Sequence, residues 1–327
     1  MDQELLKEIP KEKDYPIAHL LRVSGMQLRE GKRGPFLQFS VGDRTTTWKW
    51  CKKWDSSENE YNRLKKQNIL FITGKTDVYN DNLQLVADSI AVPEDMPRDT
   101  LEKLTPCSKY EVKDLKKVLY EYLGSIENEH IKQLCRTFLK DSVVKEKLDV
   151  AYAAIGYHHP YRSGLLTHIV RLMHLVDSVV KAFNDNLYPD GKYKVNRDML
   201  ILGAFLHDLY KIDEYTSMGE YENYGNLVPH LPKGAIEANR KMDQIENFPQ
   251  DLRSQITHLV LSHHGELAYG SPVTPCTVEA VILHYCDNMA AKVDPMLEAL
   301  DDLPDGEVWT DRLKGIGKKA YMGGMLL

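Results

Sequence analysis

Ten of the twelve histidines in this chain fall between His158 and His284. Within that stretch His168, the adjacent His207 and Asp208, His230, His263 and Asp287 have the residue types of a divalent-metal pocket. Neutral imidazoles and carboxylates suit borderline or hard ions such as manganese, iron, zinc or magnesium. A set without thiolates argues against a purely structural zinc, so the metal would be catalytic. Each residue alone says little. A His-Asp dipeptide is common, and a lone His168 or His230 reads most simply as an ordinary hydrogen-bonded histidine, the class in which His174, His258 and His284 are left. Order and surroundings together favour the metal reading.

Those surroundings are helical. The run Met199 to Leu206 is apolar throughout and predicts a buried helix ending at His207 and Asp208. Adjacent ligands serve one site best near a helix end, because neighbours inside a helix diverge by about 100°. Leu165 to Met173 carries apolar residues at helical spacing around His168, so one imidazole would point inward from an oily face. Asp287 sits among Val281, Ile282, Leu283 and Met289, where a carboxylate is costly unless paired or metal-bound. His230 lies in a loop-like stretch, and Pro229 and Pro232 predict no regular helix before Gly234.

The segments HHPYRSGLLTH (158–168), His207-Asp208-Leu209-Tyr210-Lys211, and Leu261-Ser262-His263-His264-Gly265 followed by Tyr269-Gly270-Ser271-Pro272 resemble the HD-domain metal-dependent phosphohydrolases. Within that all-helical superfamily the likeness is to the YhaM-type 3′-to-5′ exoribonucleases, over residues from roughly 17 to 296. The ligand set and the resemblance together imply a two-metal phosphodiesterase, with manganese favoured. Asp208 would bridge both ions, because a carboxylate has two oxygens. His168, His207 and Asp287 would complete one position, and His230 and His263 the other. Lys211 would meet negative charge developing on the phosphoryl oxygens. His264 would either ligate or protonate the leaving 3′-oxygen, and His263 could exchange roles with it. His159, Tyr161, Arg162, Tyr269 and Ser271 are candidates for substrate contact, with Arg162 gripping a phosphate; the competing reading is a capping turn with an ordinary arginine. RNA rather than DNA is implied by resemblance alone, with single-stranded DNA as a second substrate and nucleoside 5′-monophosphates as products. A phosphohydrolase acting on small nucleotides, its N-terminal region regulatory or oligomerising, is the main alternative. A non-enzymatic nucleic-acid binder with a vestigial pocket is disfavoured by the complete ligand set.

The N-terminal region has a different period. Leu20 to Met26, Phe36 to Val41, Thr45 to Trp50, Ile69 to Thr76 and Leu83 to Ile90 alternate as strands, and Ser57 could cap a short helix through Lys66. Five strands with a helix after the third is the layout of the OB-fold, a barrel that often binds oligonucleotides. The stretches Gly34 to Asp43, Thr73-Gly74-Lys75 and Leu83-Gln84-Leu85 resemble OB domains of the anticodon-binding type. The whole is thus expected to be multi-domain α+β, a five-stranded barrel followed by an all-α HD domain. Residues 17–92 hold twelve Lys/Arg against eight Asp/Glu, a net of +4, in a chain of net −6. Trp48, Trp50 and Trp54 are interleaved with Lys49, Lys52 and Lys53, the mixture of stacking faces and cations that single strands need. Phe36, Trp48, Lys49, Trp50, Lys52, Lys53 and Lys75 are the candidate nucleic-acid contacts. Alternating tryptophans in a strand are also often barrel core.

A length of 327 residues predicts two domains. The boundaries read as 17–92 for the barrel, 93–150 for a linker and bridging helices, 151–300 for the catalytic domain and 301–327 for a tail without clear periodicity. The helical pattern after Lys109 could equally belong to the catalytic domain, and the tail could dock a second subunit in a homo-oligomer or simply be loosely ordered. No apolar run reaches about 18 residues, and the charged N-terminus lacks a signal-peptide core. Five cysteines, widely spaced and without a Cys-x-x-Cys pair, read as reduced thiols in a cytoplasmic protein.

Overall fold

The computed structural model describes residues 3–32, 34–79, 82–93, 104–154, 161–216, 221–303, 306–313 and 315–323. The chain divides into two compact units, residues 1–107 and 108–327.

In the first unit, alternating side chains fold five strands into a closed barrel: β1 (Pro16–Gly31), β2 (Gly34–Gly42), β3 (Thr47–Lys53), β4 (Ile69–Tyr79) and β5 (Asn82–Ala91), in the spatial order β1-β2-β3-β5-β4. β1 is long because it serves two partners. Pro16 to Arg22 pair with β4 and Arg22 to Gly31 with β2, and a bulge between Ser24 and Gln27 bends the strand. The period of two sends Ile17, Leu21, Leu37, Phe39, Val41, Leu70, Ile72 and Leu85 inward. Helix α1 (Glu58–Leu64) follows the third strand as expected, with the Ser57 side chain accepting the Glu60 N–H.

β3 breaks its own period. Phe39 faces Cys51 and Val41 faces Trp48, so three residue steps on β3 oppose two on β2. The extra residue is accommodated at Trp50, which takes a left-handed φ of 64°. Trp48 and Trp50, two apart, therefore land on opposite sides. Trp48 is 7% exposed in the barrel core and Trp50 is 58% exposed. The expectation that Trp48 offers a stacking face is corrected here, because its indole is packed among Val41, Leu85 and the other core side chains.

The second unit is built from α2 (Val112–Gly124), α3 (Glu129–Lys140), α4 (Ser142–Leu148), α5 (Gly164–Lys181), α6 (Arg197–Leu206), α7 (Asn223–Leu227), α8 (His230–Met242), α9 (Gln250–Ser262) and α10 (Val278–Asp301). Asn128, Asp141, Asn196 and Thr277 cap α3, α4, α6 and α10 through their side chains. α6 is buried from Met199 to Leu206, which is why it carries no polar residue over that run. Leu119, Leu123, Ile131, Phe138 and Leu148 share one core with Leu166, Phe205 and Leu283, so α2, α3 and α4 pack with α5, α6 and α10. Where the tail shows no periodicity, β6 (Trp309–Arg312) and β7 (Lys319–Tyr321) form a small hairpin. Among the described residues no helix is long and apolar enough to cross a membrane.

Candidate metal centre

Five helices and one short turn deliver polar side chains into the core of the second unit. His168 comes from the second turn of α5, where it is fully buried. His207 caps the C-terminus of α6, and Asp208 opens a 3-10 turn, Leu209–Asp213, that carries Lys211. Leaving the helix at this point lets the two neighbours converge, as their adjacency predicts. His263 and His264 follow the end of α9, and Asp287 comes from the third turn of α10. His230 is the first residue of α8, not part of a loop. Pro232 is compatible because it takes the third helical position, where a backbone N–H has no intrahelical acceptor to lose.

The donor atoms meet in two groups. His168 Nε2 lies 3.0 Å from Asp287 Oδ1 and 3.1 Å from His207 Nε2. His207 Nε2 lies 3.4 Å from Asp208 Oδ2. On the other side, Asp208 Oδ1 lies 3.1 Å from His230 Nε2 and 3.4 Å from His263 Nε2. In each group, His168, His207, Asp208 and Asp287 in one and Asp208, His230, His263 and His264 in the other, the donor atoms all fall within 4.8 Å of one another. Asp208 belongs to both and turns one oxygen toward each.

The far nitrogens show how the rings are aimed. Nδ1 of His207 faces Ala204 O at 3.0 Å, that of His263 faces Val260 O at 2.7 Å, and that of His264 faces Tyr269 O at 2.8 Å. Nδ1 of His230 faces the Glu214 carboxylate at 2.8 Å. These oxygens can only accept, so each Nδ1 carries a proton, and in the neutral form each ring presents the Nε2 lone pair inward. The His263-His264 turn is held further by His284, whose Nδ1 donates to His263 O at 2.8 Å and whose ring fills the space beside Gly265.

Among the described residues, Asp208 Oδ1, His230 Nε2 and His263 Nε2 are buried without a hydrogen-bond partner. Leaving such groups unsatisfied costs about 1–3 kcal/mol each. Imidazole lone pairs and carboxylate oxygens converging on one space fit a divalent cation, which would satisfy them.

Charge within the group is finely opposed. Burial pushes the Asp208 carboxyl up, but Lys211, His207 and His230 outweigh it and hold the group well below the usual carboxylate range. Asp287 is likewise held well below that range, burial being outweighed by hydrogen bonds from His168 and His207. Burial lowers His207, yet the neighbouring Asp208 and Asp287 raise it to about 10. Burial pushes His263 down to about 3 and also lowers His168 and His264. Lys211 Nζ donates to Asp208 Oδ2 at 2.6 Å, and that carboxylate overcomes burial to raise the lysine.

Among the other candidates, Tyr161 donates its hydroxyl to Glu298 at 3.1 Å, and the Arg162 carbonyl accepts the Ser108 N–H as the chain enters α5. His159 lies outside the described residues. Tyr269 is 65% exposed, whereas the buried Ser271 donates to Leu261 O and approaches Val273 O. The expectation of a rim contact at Ser271 is therefore corrected: its hydroxyl is spent on closing the loop. On the barrel, Phe36 packs on Trp54 with Lys52 over the same ring, Lys53 pairs with Glu60 at 3.2 Å, and Lys75 pairs with Asp14 at 2.6 Å. Lys49 and Trp50 line a hollow of about 290 Å³ together with Gln27, Arg29 and Gln38. Glu214 was not anticipated; nothing in its spacing from the histidines marks it.

Two helical groups sharing a His-Asp carboxylate define a class. The HD domain family matches residues 156–292, a span that holds every member of both groups. The full chain is 30% identical to a Bacillus pumilus protein named 3′-5′ exoribonuclease YhaM over 308 residues, 93% of each chain. Proteins of the same name from Bacillus licheniformis and Bacillus subtilis are 30% and 29% identical, over 88% of each chain. No solved structure matched. The chain belongs to the YhaM family of HD-domain proteins, and it is an enzyme of the hydrolase class acting on phosphodiester bonds.

Proposed function

We propose that this chain removes nucleotides from the 3′ end of single-stranded RNA, releasing nucleoside 5′-monophosphates, with two divalent cations, manganese favoured, held at Asp208. The observation that carries the reading is that Asp208 belongs to both donor groups, with Oδ2 3.4 Å from His207 Nε2 and Oδ1 3.1 Å from His230 Nε2 and 3.4 Å from His263 Nε2. When bound, such ions lower the pKa of a water and offset charge on the phosphodiester. Lys211, buried and cationic beside Asp208, fixes that carboxylate and adds positive charge where the phosphoryl oxygens gather it. His264 suits a ligand better than an acid: burial lowers its affinity for a second proton, and its one proton is directed to Tyr269 O.

For substrate contact we keep Tyr161 and Arg162 just before α5, the exposed Tyr269 beyond His264 and, from the sequence alone, His159. On the barrel, we assign base stacking to Trp50, with phosphate contacts from Lys49 and Lys52 and support from Lys75; Lys53 and Phe36 are assigned to structure through Glu60 and Trp54. An indole face flanked by cations is sequence-tolerant, as an exonuclease requires.

The test is incubation with Mn²⁺ and a 5′-labelled single-stranded RNA, its DNA counterpart and free mononucleotides. A ladder shortening from the 3′ end supports the reading. Turnover confined to mononucleotides replaces it with small-nucleotide hydrolysis.

A further inference from the structure

His230 is buried, but it enters the second group from the very start of a helix. Asp287 lies in the third turn of α10, but His230 is the first residue of α8, and helix ends fray. Its orientation is set by Glu214, which closes the 3-10 turn opened by Asp208. One oxygen, Glu214 Oε1, accepts both the backbone N–H and the Nδ1–H of His230. The carboxylate thus satisfies an orphan donor at the helix start and fixes the ring's tautomer at once. Its side chain is only 8% exposed and belongs to neither donor group.

The backbone around it is tied down as well. Glu222 N–H donates to Glu214 O at 2.8 Å. α7 closes against the same residue, where a Cβ on Gly225 would stand 2.5 Å from Glu214 Cα. Glu214 therefore ties His230 by hydrogen bonds to the turn that Asp208 opens.

Resting on the two-ion reading above, we propose that Glu214 is a positioning residue that makes the second cation position by aiming His230 Nε2 at Asp208 Oδ1. It ligates nothing itself. Its loss leaves the group of His168, His207 and Asp287 intact and weakens only the position that His230 completes.

The experiment is titration of the chelator-stripped full chain with Mn²⁺ alone, counted by the loss of the free-ion electron paramagnetic resonance signal, without substrate. Wild type is expected to bind two equivalents. Glu214→Ala should keep the first at wild-type affinity and weaken the second by about 10–100-fold, the range for partners that orient a metal ligand. Glu214→Gln, which retains an acceptor oxygen without the charge, should fall between. In the cycle with His230→Ala, the double variant should bind the second equivalent no worse than His230→Ala alone, because Glu214 acts through that ring. Wild-type affinity for both equivalents in Glu214→Ala, or additive losses in the cycle, overturns the proposal. Should Glu214→Ala not fold, Gly225→Ala decides: a weakened second equivalent supports it and two intact equivalents overturn it. A wild-type chain that takes up a single equivalent sinks the two-ion reading itself, and is recognised before any variant is weighed.

Discussion

In the barrel, two tryptophans two residues apart end on opposite sides of one strand; in the helical unit, histidines and aspartates scattered from 168 to 287 end within 4.8 Å of one another in two groups. Residue type is a weak guide in the first case and a strong one in the second. An indole gains from burial through its apolar rings and has a single N–H to satisfy. A carboxylate or a pair of imidazoles in an apolar core is expensive unless something completes it. Polar residues embedded in oily helices therefore announce a site, whereas aromatic residues in a strand announce only a surface or a core.

The comparison can be broken at several points. Trp48→Ala should cost about 3–5 kcal/mol of stability in chemical denaturation, the usual range for emptying a large aromatic site. It should leave hydrolysis by the folded fraction unchanged. Asp287→Ala should lower kcat by more than about a hundredfold, since loss of a partner that merely orients a ligand already costs 10–100-fold, with the barrel's melting unaffected. Equal losses of stability in the two variants would erase the distinction between core and site. Trp50→Ala should leave stability near wild type and weaken single-strand binding by about 1–3 kcal/mol, read by fluorescence anisotropy with a labelled oligonucleotide in the presence of chelator. Unchanged binding would make the left-handed backbone at Trp50 a purely structural bulge.

The smallest effect concerns pH. His207 is raised to about 10 by Asp208 and Asp287, so in the metal-free chain it carries a proton at neutrality that a cation must displace. Because the folded-state value lies above the working range, affinity for the first ion should rise with pH, by about tenfold per unit for one proton released. Calorimetry in two buffers of different ionisation enthalpy reads that proton directly. No proton release between pH 6 and 8 would mean that His207 is already neutral.

Much of the fold was legible for the same physical reason as the site. Period-two alternation marked all five barrel strands, and Ser57 marked the start of the helix after the third. What alternation could not show was the extra residue in β3, because a bulge at a tryptophan leaves no compositional mark. His168, His207, Asp208, His263 and Asp287 stood out by embedding. His230 reads as loop because Pro229 and Pro232 flank the His230-Leu231 pair, although the start of a helix tolerates proline. Glu214 was invisible because Asp213-Glu214-Tyr215 looks like any charged surface turn, and its burial follows from how α7 and α8 fold back on it. Ser271 misled in the other direction, since a hydroxyl near a histidine pair serves a loop as readily as a substrate.

The central claim is that one carboxylate serves both donor groups, and counting bound Mn²⁺ in chelator-stripped wild type against Asp208→Asn tests it most directly. Two equivalents in wild type and the loss of tight binding at both positions in the variant is the predicted result. A variant that keeps either ion at wild-type affinity would contradict it.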